Sequence, residues 1–319
     1  MPVRIRTVVG GGTTKNHLEL NGVEVEDTHV EVNELLSGRI LVTSMTKEIA
    51  LRNARQMSGA LVTSSPIEGI VGGSVPASET PDARPGFYLL LRGNSEMKPP
   101  NHEGRETFGK VFTNHLRMAP HLPTCAIYDG VPKREALFRV NAGDTIRLWG
   151  DGFETEGKVG DRRVYRIPVM LGEFVTERSF GVTTSFDGAF EIFAENPSCA
   201  LMATQIAAER VVDEVKGAFA SNLCGAKVGG INYKDQKATT TTFLCPTIRD
   251  RVSDTRVPEG VGTVIEYLVW GLDLRTVKRG LRISLETITK TPGIIGITVF
   301  NQGGLWGKHR IYMRDLMGK

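Results

Sequence analysis

The sequence predicts an α+β protein built from two ferredoxin-like lobes. Each lobe is a split βαβ arrangement, an antiparallel sheet with helices on one face, and the two are related as a pseudo-repeat. Three observations lead there. Strand-length apolar runs alternate with helical periodicities, at crossover lengths that suit strand–helix–strand units. The same grammar occurs twice, more clearly in the second half. The chain of 319 residues is long enough for two packed cores. The joint is expected near Pro168-Val169-Met170-Leu171-Gly172. The expected organisation is a flexible arm over 1–18, a first lobe over 19–170 and a second over 171–319.

The elements follow in order. Gly10-Gly11-Gly12-Thr13-Thr14-Lys15 reads as a flexible joint after a short β-like stretch. It lacks the G-x-x-x-x-G-K-[ST] spacing of a phosphate loop. Arg39–Thr43 is a strand, and Thr46 caps a helix to about Met57. Phe87–Leu91 is a second strand, Gly93–Pro100 a polar loop, and Arg105–Met118 a helix. Asp144–Trp149 alternates with period two and is expected to be a half-buried strand before the turn Gly150-Asp151-Gly152. Ala189–Ala194 is a strand. Asn196-Pro197 starts a helix, with Asn as cap and Pro where a missing N–H costs nothing. Leu201, Ile206, Val211, Val212 and Val215 are expected to share its apolar face. Thr263–Trp270 is a strand. Leu274–Thr289 is a helix with Val277, Leu281, Leu285 and Ile288 on one face, ended by Pro292-Gly293. Ile294–Phe300 is the last strand of the pattern.

Composition narrows the function classes. Hydrophobic residues are 40% and charged residues 24%, ordinary for a globular protein. A net charge of +3 is too small to argue for nucleic acid. The longest apolar stretches are of strand length, so no membrane span is expected. The start, Met1-Pro2-Val3-Arg4-Ile5-Arg6, lacks a secretory apolar core. Cys125, Cys199, Cys224 and Cys245 are scattered, which suits free thiols in a reducing cytoplasm. His102, His115, His121 and Cys125 fit no common zinc spacing, and no metal site is expected. Arg162-Arg163 reads as a solvated turn pair. Arg275, Lys278, Arg279 and Arg282 read as a solvent face.

Glu266 is the residue that most invites a chemical reading. It interrupts the apolar run Thr263-Val264-Ile265-Glu266-Tyr267-Leu268-Val269-Trp270. A carboxylate in such a strand is costly unless hydrogen-bonded, paired or protonated. Desolvation raises a carboxyl pKa, which suits proton transfer near neutral pH. The residues alone leave two other readings open, a solvent-facing position and a structural ion pair with an arginine.

Several blocks, taken together, are far more specific. They are Leu20–Thr28, Glu79–Gly86, Gly150-Asp151-Gly152-Phe153, Ile167-Pro168-Val169 with Gly172-Glu173-Phe174, Phe180-Gly181-Val182-Thr183-Thr184, Lys227-Val228-Gly229, Pro258-Glu259-Gly260-Val261, and Asn301-Gln302-Gly303-Gly304-Leu305-Trp306-Gly307-Lys308-His309. In this order they resemble the formylmethanofuran:tetrahydromethanopterin formyltransferase family, over nearly everything after residue 18. The resemblance implies direct formyl transfer between the amine of methanofuran and N5 of tetrahydromethanopterin, both as substrates, with no prosthetic group or metal. It also implies two ferredoxin-like lobes and a homo-oligomer, a dimer of dimers. The alternative assembly is a subunit of the bacterial formyltransferase/hydrolase complex. The family's catalytic glutamate lies in the strand after the P-E-G-V block, which is Glu266 here. Substrate contacts are expected from Thr183, Thr184, Lys227, Tyr233, Thr239, Asn301, Gly303, Gly304 and Lys308. The Asn301–Gly304 stretch would let backbone N–H groups approach a ligand, although a tight turn accounts for the same residues. Lys227, Tyr233, Lys234, Lys237 and Thr239–Thr242 suit carboxylates and phosphate, or simply an exposed loop.

The chain departs from the family in four places. The proline- and glycine-rich loop before K-V-G is replaced by the shorter Ser221–Ala226. First-lobe elements become Ser58–Val62 and Ser64–Gly69. Phe186–Phe190 replaces A-G-G-N-F, and Leu305 stands where the family has lysine. Lys308 and Glu266 are kept. These departures leave a second reading, a non-catalytic paralogue serving as a structural or coenzyme-binding subunit.

Overall fold

The structure is a computed structural model that describes residues 5–10, 13–59, 67–93, 102–123, 126–225, 241–299, 301 and 307–318. It divides into two compact units. One comprises Met1–Asn33 with Phe186–Lys319, the other Glu34–Ser185.

The chain begins with β1 (Ile5–Gly10), β2 (Thr13–Leu20) and β3 (Val23–Glu26), successive antiparallel strands. Asn21 and Gly22 both have positive φ (54° and 85°), the conformation a two-residue Asn-Gly hairpin demands. β1 itself pairs with β2, from Ile5 opposite Leu18 to Gly10 opposite Thr13, while Gly11 and Gly12 of the expected flexible joint lie outside the described residues. The β-branched run Ile5-Arg6-Thr7-Val8-Val9 favours strand, and Gly10 lies at its end.

β4 (His29–Thr43) is 15 residues long and runs from the first unit into the second. In the second unit it is followed by α1 (Lys47–Ser58), β5 (Ile67–Val75), β6 (Gly86–Gly93), α2 (His102–Leu116) and β7 (Ala126–Asp129). The Thr46 hydroxyl accepts from the Ile49 N–H at 3.3 Å, the expected N-cap. Then come β8 (Phe138–Val140), α3 (Ala142–Ile146), β9 (Thr155–Val159), β10 (Arg162–Val169) and β11 (Gly172–Glu177). The sheet order is β5-β6-β4-β7-β11-β10-β9, with only the β7–β11 pair parallel. Phe108, Phe112, Phe174 and Phe180 centre its core.

Two expectations change in this unit. Asp144–Trp149 is helical, α3 followed by a 3₁₀ turn over Arg147–Gly150. The period-two signal was misleading because Leu148 and Trp149 are largely exposed, while Asp144 accepts from the Tyr165 hydroxyl at 2.6 Å. Arg162 is not a free turn residue. It pairs with the buried Glu177 and donates to the Asp129 carbonyl at 2.9 Å. Burial still holds the Glu177 carboxyl above its ordinary range, against the pull of Arg162.

β12 (Phe180–Ala194) is again 15 residues and crosses back to the first unit. It leads to α4 (Pro197–Glu214), β13 (Ala218–Cys224), β14 (Thr263–Gly271), α5 (Leu274–Ile288), β15 (Ile294–Thr298), β16 (His309–Tyr312) and α6 (Met313–Leu316). The Asn196 side chain caps α4, accepting from Cys199 N–H at 3.0 Å. The main order is β13-β14-β12-β15-β3-β2-β1, while β16 pairs the start of β4. The α5 face is as expected: Val277, Leu281, Leu285 and Ile288 are buried. The α4 face is not. It is made by Ala200, Ala203, Thr204, Ala207 and Val211, while Leu201 and Ile206 are exposed. Small residues let the helix lie close, so the buried face of α4 carries alanine rather than leucine. The basic side of α5 is also partnered: Lys278 meets Asp315 at 3.2 Å, and Arg282 donates to the carbonyls of Leu316 and Asp315.

The element order β4-α1-β5-β6-α2-β7 thus recurs as β12-α4-β13-β14-α5-β15, with matching pairings β5-β6-β4-β7 and β13-β14-β12-β15. The units are discontinuous in sequence. The expected joint at 168–172 is instead the hairpin between β10 and β11, inside the second unit. The chain changes units within β4 and within β12, because each strand is long enough to pair in both. Among the described residues no helix is long and apolar enough to cross a membrane.

Candidate functional site

β14 alternates its faces as a strand buried on one side must. Ile265, Tyr267 and Val269 join the core with Ala203, Ala207 and Val211 of α4 and Val277 and Leu281 of α5. Gly280 lets α5 press onto this strand, since a Cβ there would meet Val269 Cγ1 at 2.6 Å. Ser284 donates to the Tyr267 hydroxyl at 3.0 Å, satisfying the largest polar group of that face. By alternation, Glu266 lies on the opposite face, and it is half-buried.

Register decides what surrounds it. Glu266 is directly opposite Glu191 of β12 on one side and in register with Cys224 of β13 on the other. Glu191 is in turn opposite Thr298 of β15, whose hydroxyl donates to the Glu26 carboxylate of β3. Glu26 is opposite His17 of β2. A polar row therefore crosses this face of the sheet, strand by strand. Glu191 is 2% exposed, and burial pushes its carboxyl up to about 8. Beyond it the face turns apolar: Phe193 packs with Leu244, Val257 and Val261 of the 242–261 segment, with Val264 and Ile295 beside them. On this face Glu191, buried, and Glu266, half-buried, thus stand opposite one another.

The other expected site residues divide into three groups. Thr183 (buried) and Thr184 (half-buried) lie on β12 in the 34–185 unit. Asn301 and Lys308 lie in the same unit as Glu266, at either end of the 302–306 stretch. Lys308 is exposed. Lys227, Tyr233, Thr239, Gly303 and Gly304 lie outside the described residues.

Asn301 has a definite structural task. Its Nδ2 donates to the His29 carbonyl at 2.6 Å, and its Oδ1 accepts from the Glu31 N–H at 3.1 Å. The Gly307 N–H donates to the Glu31 carboxylate at 3.0 Å, and a Cβ at Gly307 would strike Glu31 and Val32. Both ends of the glycine-rich segment are thereby fastened to β4. Asn301→Ala is expected to release the Glu31 amide, with hydrogen–deuterium exchange there accelerated about fivefold, the equivalent of one net hydrogen bond. Unchanged exchange at Glu31 would remove Asn301 from this role.

The sequence reading missed Glu191. The signal was present: Phe190-Glu191-Ile192-Phe193 breaks an apolar strand as the Glu266 run does. Of the histidines considered as metal ligands, His115 contacts the Met57 carbonyl and is held low by burial. His121 sits edge-on to Trp149 at 4.4 Å, His102 opens α2, and Cys125 is outside the described residues. Among the described residues no three His, Cys, Asp or Glu side chains converge. Two shallow concavities of about 380 and 370 Å³ are lined by Glu48, Leu51, Arg52, Arg55 and Gln56, and by residues around His121 and Trp149. No expected site residue lines either one.

Comparison with known proteins places this architecture. The formylmethanofuran-tetrahydromethanopterin formyltransferase family matches residues 18–169, and the proximal lobe of the same enzyme matches residues 172–316. The formylmethanofuran–tetrahydromethanopterin formyltransferase of Methanothermus fervidus is 34% identical over 306 residues, 94% of this chain and 100% of the relative. That of Archaeoglobus fulgidus is 34% identical over 307 residues, with the same coverage. The solved enzyme from Methanosarcina barkeri superposes with a TM-score of 0.81 at 30% identity, covering 93% of this chain and 99% of that one. A chain of the formyltransferase/hydrolase complex of Methylorubrum extorquens, solved with methylofuran, gives 0.79 at 28% identity, covering 94% and 99%. The chain belongs to the formylmethanofuran–tetrahydromethanopterin formyltransferase family.

Proposed function

We propose that this chain transfers a formyl group between the amine of methanofuran and N5 of tetrahydromethanopterin, with Glu266 as the proton-handling residue. The observation that carries the reading is family membership over 94% of the chain, joined to a half-buried glutamate in the strand that follows Pro258-Glu259-Gly260-Val261. The attacking nitrogen forms a bond to the formyl carbon, and the carbonyl π pair moves onto oxygen. The Glu266 carboxyl donates to that oxyanion. On collapse the C–N bond to the leaving nitrogen breaks, and the proton lost by the attacking nitrogen ends on the leaving one. The exchange is an isoelectronic acyl transfer that needs no oxidant or reductant. Alignment of two bound substrates supplies a large share of the barrier reduction.

The duplicated βαββαβ order and its strand pairings support reading the molecule as two ferredoxin-like lobes. The carried-over contacts from Thr183, Thr184, Lys227, Tyr233, Thr239, Gly303, Gly304 and Lys308 belong to the same reading. The purified chain, supplied with formylmethanofuran and tetrahydromethanopterin, is expected to form N5-formyl-tetrahydromethanopterin. Tight binding of both coenzymes with no product would overturn the enzyme reading in favour of the non-catalytic paralogue.

The likeness to a chain of a formyltransferase/hydrolase complex favours a second assembly state, a subunit of such a complex rather than a homo-oligomer. Stoichiometric partner chains on purification from the native host support it, and a single species built only of this chain counts against it.

A further inference from the structure

We propose that the outer edge of β9 is a docking surface for a second copy of this chain, the two strands pairing antiparallel about a two-fold axis at Gly157. The inference concerns the unit Glu34–Ser185 and does not rest on the formyl-transfer reading.

β9 ends its sheet. Among the described residues it pairs with β10 alone. An edge strand presents unpaired N–H and C=O groups, a template for pairing with another chain. The other edge of this sheet, β5, is interrupted by a register shift between Val71 and Ser74, a device that blunts such pairing. β9 has no interruption: its five residues stay in continuous register with Arg162–Arg166. Glu154 holds the approach to the strand, accepting from Arg147 and from the Gly152 N–H, both at 3.0 Å. The edge is regular and anchored, and Thr155, Glu156 and Lys158 are exposed.

Hairpin geometry decides which backbone groups face outward. Val159 and Arg162 close a two-residue turn, Gly160-Asp161, with Gly160 at φ 57°. The closing residues of such a turn exchange hydrogen bonds, and the pattern alternates from there. Val159, Gly157 and Thr155 therefore bond inward to β10, while Glu156 and Lys158 direct their N–H and C=O away from it. The neighbouring strand agrees. Arg163 is opposite Lys158, and its carbonyl accepts from the Arg178 N–H at 3.1 Å on the side away from β9.

Thr155-Glu156-Gly157-Lys158-Val159 is complementary to itself when read antiparallel. With the axis at Gly157, Glu156 lies opposite Lys158 of the second copy, and Lys158 opposite its Glu156. These are the outward-bonding positions, so each pair exchanges both of its backbone hydrogen bonds. The same pairs set opposite charges side by side on one face, a stabilising cross-strand arrangement. Among the described residues neither side chain forms a hydrogen bond or ion pair within its own chain. On the other face Thr155 meets Val159 of the second copy, a β-branched pair. Gly157 falls in a non-hydrogen-bonded pair, where opposing Cα atoms come closest, about 4.5 Å. Its own unit does not call for glycine: its φ is not positive, and a Cβ there would meet only the Arg166 side chain, at 3.5 Å. A glycine inside a strand suits a place where another backbone approaches closely. Any extended peptide could use the backbone edge, but the order of the charges makes this chain its own complement. The contact fits an assembly of this chain alone and equally a larger complex that holds two copies of it.

The test uses the full-length chain. Gly157→Cys sets two thiols across the axis at a separation that a disulfide spans. Under copper–phenanthroline oxidation it is expected to give a covalent dimer faster than wild type, which has only the native cysteines. Thr155→Cys, whose counterpart across the axis is Val159, is expected to cross-link no faster than wild type. Adding Glu156→Lys or Lys158→Glu to the Gly157→Cys chain sets like charges opposite one another, and each is expected to slow the cross-link about tenfold. Mixing these two chains restores opposite charges at both pairs, so the rate is expected to return, with the mixed dimer as product. A folded Gly157→Cys chain that does not cross-link to its own copy overturns the proposal. So does equal cross-linking in Thr155→Cys, an unslowed rate in either charge variant, or a cross-link to a different chain on purification from the native host. Hydrogen–deuterium exchange tests the same edge without a cysteine. The Glu156 and Lys158 amides are expected to be protected in wild type and to lose that protection in Glu156→Lys alone and in Lys158→Glu alone. Unprotected amides in wild type, or protection unchanged in both variants, overturn self-pairing.

Discussion

Glu266→Gln is expected to lower kcat for formyl transfer by about 10²- to 10⁴-fold, the range a positioned acid–base group contributes. That corresponds to about 3–5 kcal/mol of transition-state stabilisation. Glutamine keeps the volume, the strand fit and a hydrogen-bonding amide, so binding should change little. The loss belongs in kcat and in kcat/KM alike, the signature of an interaction made in the transition state. The loss should also be incomplete. Alignment of two substrates is worth several kcal/mol by itself, and a variant with intact binding keeps it. Steady-state kinetics with both coenzymes read this directly. A Glu266→Gln enzyme within threefold of wild type would mean that some other group moves the proton.

Glu191 gives the second large effect, on stability. Its carboxyl is raised by burial from the ordinary 4.5 to about 8 in the folded chain. The sign follows from proton counting. Between pH 4.5 and about 8 the folded state holds a proton at Glu191 that the unfolded state has released. Its contribution to stability is therefore complete below pH 4.5 and is lost as the pH rises toward 8, by up to about a factor of ten in the unfolding equilibrium per pH unit. Glu177 in the other unit is raised as well and slopes the same way, so the wild-type curve alone is not diagnostic. The difference between wild type and Glu191→Gln isolates the one group. Urea midpoints measured from pH 5 to 9 are expected to favour the glutamine variant increasingly until about pH 8, then to run parallel. Parallel curves across the whole range would show that Glu191 is ionised in the folded protein.

Much of the local structure was legible in the chain. Thr46 and Asn196-Pro197 announce their helices because caps are local chemistry, and the α5 face follows from a period that burial preserves. The α4 face misled because leucine and isoleucine point outward while alanines make the contact, so hydrophobicity and burial part company there. Asp144–Trp149 misled for a related reason: an alternating pattern over six residues fits a helical turn as well as a strand.

By itself the sequence determined the helices that start at Thr46 and Asn196-Pro197, the buried face of α5, the family, and the place of Glu266 within a strand, because these depend on neighbours along the chain and on motifs read in order. Only the tertiary structure decided that Glu191 stands opposite Glu266, that Asn301 fastens its segment to β4, and that each long strand serves both units. Those facts depend on the register between strands distant in sequence. A shift of one residue would turn every side chain to the other face, and that choice is made by the packing of the whole sheet rather than by any segment of it.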